Sequence, residues 1–287
     1  MLIDLQIHSN YSDGYLTPTE LVKFIAEQGI KVAALTDHNT VRGVDEFKKA
    51  CAKSRIKPIV GMELYAKYKN VHFNILWYNF DRRDSDLHKM LRDSQIRRKH
   101  QIRKILEKLA AKGFKMDINK ILDKQNHYVP INYLIDCLVA NKKNLQKIKK
   151  ELGMRTPREE DILRHYFRNK KEGVLNESYI SIERILKLKN KIGGQIILCH
   201  PAKNSYIKIP LWLKLKKMGV DGIELFSPHH SVNAILYMQQ FAREMNFITT
   251  GGSDFHRFEG RGQLIQCSWQ YYKIDSQFLK GVKRIIG

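Results

Sequence analysis

Apolar runs of strand length end, one after another, in a histidine or a carboxylate, and this recurrence limits what the chain can fold into. Leu2–Ile7 leads to His8 and, past a turn, to Asp13; Val32–Leu35 leads to His38; residues 58–62 lead to Glu63; and Val71–Tyr78 contains His72. The pattern returns late in the chain, where residues 195–199 lead to His200 and residues 247–250 to Asp254 and His256. Helical signals lie between the early runs. Thr17-Pro18-Thr19-Glu20 combines a capping residue, a proline at the first helical position and a glutamate at the third, Leu21, Phe24 and Ile25 carry on an apolar stripe, and residues 44–53 read as a second helix. Alternation of strands and helices predicts a parallel α/β architecture, and ligand-type residues closing successive strands predict a polynuclear metal site in a barrel mouth. Hard carboxylates mixed with imidazoles suit Zn, Mn or Fe.

The length of 287 residues accommodates one barrel plus an insertion, since such barrels take ~250 residues. From about residue 86 the texture changes to long basic helical stretches, at 87–112, 118–124, 132–141, 159–169 and 181–191, with no strand evident. Strand signals resume at residues 195–199, 222–226 and 247–250. The expected organisation is a discontinuous barrel domain, residues 1–85 and 192–287, interrupted by a basic helical insertion over 86–191. The formal charge of +22 is concentrated there, because residues 82–191 hold 29 Lys and Arg against 14 Asp and Glu. Such a field draws in anionic substrates, nucleic acid included. The run Arg97-Arg98-Lys99-His100 reads as a solvated helix face or, on an insertion that roofs the barrel mouth, as a contact for a polyanion. No window offers the ~20 apolar residues of a membrane span, and the four cysteines lack paired spacing, so a cytoplasmic chain with reduced thiols and no membrane contact is expected.

Read together, the segments resemble the PHP family of phosphoesterases, named for polymerases and histidinol phosphatase. The family opens with D-L-H-x-H-S and S-D-G, then shows T-D-H, G-x-E, a lone His, H-P and G-S-D-x-H. This chain has Asp4-Leu5-Gln6-Ile7-His8-Ser9, Ser12-Asp13-Gly14, Thr36-Asp37-His38, Gly61-Met62-Glu63, His72, His200-Pro201 and Gly252-Ser253-Asp254-Phe255-His256 in the same order. The resemblance implies a distorted (β/α)7 TIM-like barrel with two or three divalent ions (Mn, Zn or Fe) at its mouth. One ion would be held by His8, Glu63 and Asp254, a second by Glu63, His72 and His200, and a third by Asp13, His38 and His256. Glu63, His38, Asp254 and His256 would carry the catalytic work, hydroxide activated by metal attacking phosphorus. Two departures stand out. Gln6 replaces the first histidine of the opening and would be at most a weak contact to the first ion, and Asn39 stands where aspartate is frequent.

The basic helices, together with Gly222-Ile223-Glu224 leading to His230-Ser231, are most similar to the small PHP enzymes that act on nucleoside 3′,5′-bisphosphates or on RNA 5′ ends. Lys203 and His230 would then face substrate phosphate, with His229 able to do the same work as its neighbour. Arg257 and Arg261 could clamp a phosphate. Asp37 is expected to orient a ligand imidazole, Cys199 to sit beside the ligands, and Tyr65, Tyr68, Phe73 and Trp77 to pack in or beside the barrel. The expected substrate is an anionic phosphorylated molecule, a nucleotide or short RNA or DNA, whose phosphate monoester or diester is hydrolysed. Two other readings compete: a small-metabolite phosphatase of the histidinol phosphate type, and a degenerate PHP module that binds nucleic acid without catalysis.

Overall fold

A computed structural model describes residues 1–123, 128–169, 173–175, 177–203, 209–257 and 271–287. The chain divides into two compact units: the first comprises Met1–Leu91, Tyr179–His256 and Tyr271–Gly287, and the second Arg92–Ser178 with the segment that begins at Arg257. The break therefore falls inside helix α3 (Ser85–Ala111) rather than before it, and residues 179–191 go with the barrel.

In the first unit, β1 (Leu2–Ile7), β2 (Val32–Leu35) and the first half of β3 (Lys57–Tyr68) run parallel, joined by α1 (Pro18–Glu27) and α2 (Val44–Ser54). Thr17 caps α1 as expected: its hydroxyl accepts from the Glu20 amide while the Glu20 carboxylate accepts from the Thr17 amide. β2 is buried throughout, as a parallel strand covered on both faces should be. The strict parallel expectation fails at β4 (Val71–Tyr78), which returns directly from β3 as an antiparallel hairpin over the Lys69-Asn70 turn and pairs antiparallel with β8 (Gln195–Leu198) on its other side. Parallel order resumes through β9 (Gly222–Phe226) and β10 (Ile248–Gly251). The sheet order is thus β10-β9-β8-β4-β3-β2-β1, a seven-stranded barrel among the described residues. A short strand, β7 (Ile180–Ser181), joins the outer half of β3, and β11 (Ile274–Asp275) pairs with β1. Helices α8 (Ile182–Ile192), α9 (Ile209–Met218), α10 (Val232–Glu244) and α11 (Lys283–Ile286) complete this unit.

The barrel closes where its first and last strands meet. The Asp254 amide donates to the Gln6 carbonyl at 2.9 Å and the His8 amide to the Phe255 carbonyl at 3.0 Å. Gly252 permits that approach, because a Cβ there would lie 2.5 Å from the Gln6 backbone nitrogen. The apolar core packs around the barrel, with Ile3, Leu64, Ile75, Trp77, Ile197 and Ile223 buried.

The second unit has a core of its own, including Ile102, Leu106, Leu134, Leu138, Ile148 and Phe167. Its elements after α3 are α4 (Ile118–Asp123), α5 (Ile131–Val139), α6 (Lys142–Leu152), α7 (Glu159–Ile162) and a π-helical turn over Leu163–Phe167. Three expectations are corrected here. The stretch 159–169 is not one helix but a single α turn, the π turn and a two-residue strand, β5 (Arg168–Asn169), paired with β6 (Gly173–Val174). Helix α6 was not expected, since five lysines in its sequence mask a narrow apolar stripe; its signals were Asn141, which caps Lys143 and Asn144, and Gly153 at φ 65° beyond its end. Arg98 is not on a solvated face: it is buried, pairs with Glu177, donates to the Val129 carbonyl at 2.8 Å and lies over the Tyr128 ring.

Candidate metal centre

The ligand-type residues gather at the end of the barrel where the parallel strands finish. His8 follows β1, His38 follows β2, His200 follows β8, and Asp254 and His256 follow β10, while Glu63 sits within β3 level with His38. Because β4 is antiparallel, its contribution to this end comes from its first half. The backbone bends sharply to present these groups: Asn39, His200 and Asp254 have φ of 50°, 24° and 49°, in the left-handed region that non-glycine residues seldom occupy. Asn39 suits that conformation as well as aspartate would.

Two polar pegs hold the motifs in register. Asp4, buried in β1, accepts from the Ser253 amide at 2.9 Å and the Ser253 hydroxyl at 2.6 Å, fastening the turn that carries Asp254; burial pushes its carboxyl up to about 6 despite those hydrogen bonds. Asp37 accepts from the amide and hydroxyl of Ser9 and from the Ser12 hydroxyl, each at 2.7 Å. Its observed role is thus to hold the turn that carries Asp13, and not to orient an imidazole.

Within this frame His8, Asp13, His38 and His256 form one group whose ligand atoms lie within 4.8 Å of one another, and His8, Glu63 and Asp254 form another that shares His8. Asp13 lies 3.3 Å from both His38 Nε2 and His256 Nε2, and 3.5 Å from His8 Nδ1. His8 Nε2 lies 3.1 Å from Asp254 and 3.2 Å from Glu63. A third group joins Glu63, Cys199 and His200, with His200 Nε2 3.4 Å from Glu63. Burial would raise the carboxyls of Asp13, Glu63 and Asp254, but the imidazoles around them overcome it and hold all three well below the ordinary range. Burial likewise works against the charged forms of His8 and His38, and the surrounding carboxylates raise both. His200 differs, lowered by burial and by Lys203.

The structure does not bring His72 to these groups, which corrects its expected place in the second ion site. It pairs with Lys67 near the tip of the β3–β4 hairpin, is exposed, and stacks on Tyr179 with ring centroids 3.9 Å apart. The β4 residue at the cluster is Asn74, whose amide donates to Glu63 Oε1 at 2.5 Å. Gln6 approaches from the other side, donating from Nε2 to Glu63 Oε2 at 2.9 Å and to Cys199 Sγ at 3.1 Å. The second histidine of the 229–230 pair also differs from expectation. His230 is held by the Leu225 carbonyl at 2.9 Å and accepts from the Ala202 amide at 3.3 Å, so it supports the loop after His200. Its neighbour His229 faces the centre, 2.7 Å from Asp254 Oδ2. Lys203 is partly exposed with its ammonium 4.0 Å from the same carboxylate. Arg257 pairs with Glu159 at 2.6 Å within the second unit, and Arg261 lies outside the described residues.

Sequence reasoning passed over several residues of the site. Asn74 carries no ligand signal in a strand, Tyr65 stacks on His38 at 4.6 Å, and Glu224 is buried in the middle of β9, accepting from the His200 amide at 2.7 Å. The position of Glu224 in Gly222-Ile223-Glu224, on a strand leading to the site, was the signal available for it.

Barrel and gathered ligands together define a metal-dependent phosphoesterase. A model of the PHP domain family matches residues 4–199, and the chain belongs to that family. It is similar along most of its length to a 5′-3′ exoribonuclease of Haemophilus influenzae, 26% identical over 271 residues that span 93% of this chain and 91% of that protein. A 3′,5′-nucleoside bisphosphate phosphatase of Chromobacterium violaceum is 26% identical over 265 residues, 88% of this chain and 87% of that protein. Among solved structures, a protein of Bifidobacterium adolescentis assigned as a metal-dependent phosphoesterase superposes with a TM-score of 0.77 at 20% identity, covering 99% of this chain and 95% of its own. Among the described residues no helix is long and apolar enough to cross a membrane.

Proposed function

We propose that this chain hydrolyses phosphate monoesters or diesters of nucleotides or short oligonucleotides, using two or three divalent cations, in the cytoplasm. The observation that carries the reading is the merging of two carboxylate–imidazole groups through His8, whose two ring nitrogens serve different carboxylates. The residues fit cations. Gln6 Oε1 is buried without a hydrogen bond, an arrangement that costs about 1–3 kcal/mol, and both ring nitrogens of His8 are buried beside carboxylates at 3.1–3.5 Å, a donor set that suits a cation. Asp13, His38 and His256 would hold one ion, and His8, Glu63 and Asp254, with the Gln6 oxygen, a second. Glu63 and His200, with Cys199 in place of a β4 histidine, are the donors for a third. Imidazoles with carboxylates favour Mn, Zn or Fe, and the thiol tilts the last set toward Zn or Fe.

When bound, such ions neutralise phosphoryl oxygens and lower the pKa of water to neutrality. The chain's own groups do the rest. Lys203 adds a positive charge beside Asp254 for a substrate phosphate, and His229 fixes the orientation of Asp254 by holding its second oxygen. The relatives named above act on RNA ends and on nucleoside bisphosphates, and the charge of +22 suits either polyanion.

The test is a panel of adenosine 3′,5′-bisphosphate, a 5′-phosphorylated short RNA, an aryl phosphate and histidinol phosphate, with Mn supplied. The nucleotide substrates should exceed histidinol phosphate by at least about tenfold in kcat/KM, a difference of about 1.4 kcal/mol. The reverse order would assign a small-metabolite phosphatase. No turnover combined with less than one equivalent of bound metal would leave a binding module.

A further inference from the structure

The parallel pair β8–β9 stays in register as far as Leu198 opposite Ile223. One residue on, the Cys199 amide still donates to the Asn74 carbonyl of β4 at 3.0 Å, and then the chain leaves the sheet, with His200 at φ 24°. An amide lifted out of the ladder needs another acceptor. That of His200 meets Glu224 Oε2 at 2.7 Å. The same oxygen accepts from the Cys199 thiol over a longer 3.8 Å, while the sulfur accepts from Gln6 Nε2 at 3.1 Å, so the thiol is held on its donor and its acceptor side. One carboxyl oxygen thus ties down two members of the Glu63–Cys199–His200 group, and among the described residues Glu224 itself belongs to none of the ligand groups. His230 supports the loop further along, through the Ala202 amide, which leaves Glu224 as the support next to the imidazole.

Stability does not account for a carboxyl at this place. Ile223 and Leu225 on either side lie in the apolar core, so Glu224 turns to the opposite face of β9, where it is fully buried. Its Oε1 has no hydrogen bond among the described residues. A buried carboxyl with one oxygen unmet weakens a fold more than it supports it. What the group does achieve is to hold a backbone conformation that non-glycine residues seldom adopt, and such strain persists only where the surroundings fix it. The strained residue here is His200, whose imidazole the centre needs.

We propose that Glu224 is a positioning residue: through the His200 amide and the Cys199 thiol it sets the geometry of the third ligand group and hence the affinity of the ion there. The proposal rests on the reading of the centre as a cation site, and its test does not depend on turnover. Two variants separate reach from charge. Glu224→Gln loses the charge but keeps an oxygen at the same distance along the side chain; Glu224→Asp keeps the carboxyl but draws it back by one methylene. The probe is Co2+, titrated into the full chain after dialysis against a chelator and followed by calorimetry together with near-ultraviolet absorption, in which a thiolate on cobalt marks the ion beside Cys199. Glu224→Asp should weaken that ion about ten- to hundredfold, the range for a group that orients a ligand, with the ion at Asp13 unmoved. Glu224→Gln should bind both ions as the wild type does.

Wild-type affinity in Glu224→Asp overturns the proposal, as does a loss in Glu224→Gln as large as that in Glu224→Asp, or a loss that falls equally on both ions. Failure of both variants to fold, judged by circular dichroism, would make Glu224 a structural residue only, and a wild type without a thiolate absorption at any step would remove the ion it is said to serve. Turnover of nothing in the substrate panel, with the contrast between the two variants intact, would instead retain the positioning role and remove the phosphoesterase reading.

Discussion

At one end of the centre Asp13 is surrounded by imidazoles; at the other, Glu63 has an amide N–H on each oxygen as well as imidazoles nearby. Asp13 lies within 3.5 Å of His8, His38 and His256. Glu63 accepts from Gln6 on one oxygen and from Asn74 on the other, with His8 and His200 also in reach. The difference matters because an imidazole that loses its proton offers a lone pair to a cation, whereas an amide N–H2 offers none. A cation can replace the protons at the Asp13 end without any side chain turning. At the Glu63 end the amides must turn their oxygens inward or withdraw.

The largest expected effect comes from deleting the carboxylate common to two ligand groups. Glu63→Ala should lose most bound metal and all measurable phosphatase turnover, checked by metal analysis of the purified variant alongside the assay; unchanged activity would defeat the assignment. Restoring imidazole where the amides stand should abolish the contrast. Gln6→His and Asn74→His are each expected to strengthen the weaker ion about ten- to hundredfold, the range over which groups around a metal site act, with the tighter ion unmoved in a calorimetric titration. A titration unaltered by Gln6→His would place that side chain outside the cation's reach.

Proton release separates the ends further. The surrounding carboxylates raise His8 and His38 and so favour their protonated forms, which means that a cation binding beside Asp13 competes with protons. His200 is lowered by burial and Lys203, so protons compete less there. Metal affinity at the Asp13 end should therefore climb as pH rises from about 6.5, with protons released in calorimetry run in buffers of different ionisation enthalpy, while the Glu63–His200 end changes less. The sign for stability is the opposite. Raised histidines stabilise the cation-free fold below their unfolded value, and that contribution is lost as pH rises through the folded one. The smallest effect is structural: Asp37→Ala should cost about 1–3 kcal/mol in urea unfolding, the cost of leaving Ser9 and Ser12 donors unmet, and should weaken the Asp13 end more than the Glu63 end.

How much of this was readable from the chain follows from what fixes each position. His8, His38, Glu63, His200, Asp254 and His256 follow or lie on strands whose apolar runs are plain in the sequence, so both their type and their level in the barrel were legible. His72 was misread because the length of a hairpin is not written in its apolar runs. β3 is twelve residues long and ends at Tyr68, so the register sets His72 opposite Lys67, and the β4 side chain that reaches Glu63 is that of Asn74. Tyr65 packs beside the barrel as expected, but its place against His38 is not legible, because residue type does not say on which face of a long strand a ring stands. Arg98 was taken for a surface residue because a charge run hides the one member that finds buried partners, here Glu177 and the Val129 carbonyl. Asp37 was assigned the wrong neighbour for a similar reason, since a carboxylate beside a histidine in sequence can turn to a different loop, as it does toward Ser9 and Ser12.

The hydrogen bonds that join Gln6 to Asp254 and His8 to Phe255 make the start of the polypeptide wait for residues some two hundred and fifty positions later. During synthesis the ribosome must release the Gly252–His256 segment before the two halves of the ligand set can meet. A nascent or prematurely ended chain therefore carries His8, Asp13, His38 and Glu63 without Asp254 and His256 to complete their groups, and the finished site exists only once translation has passed that point.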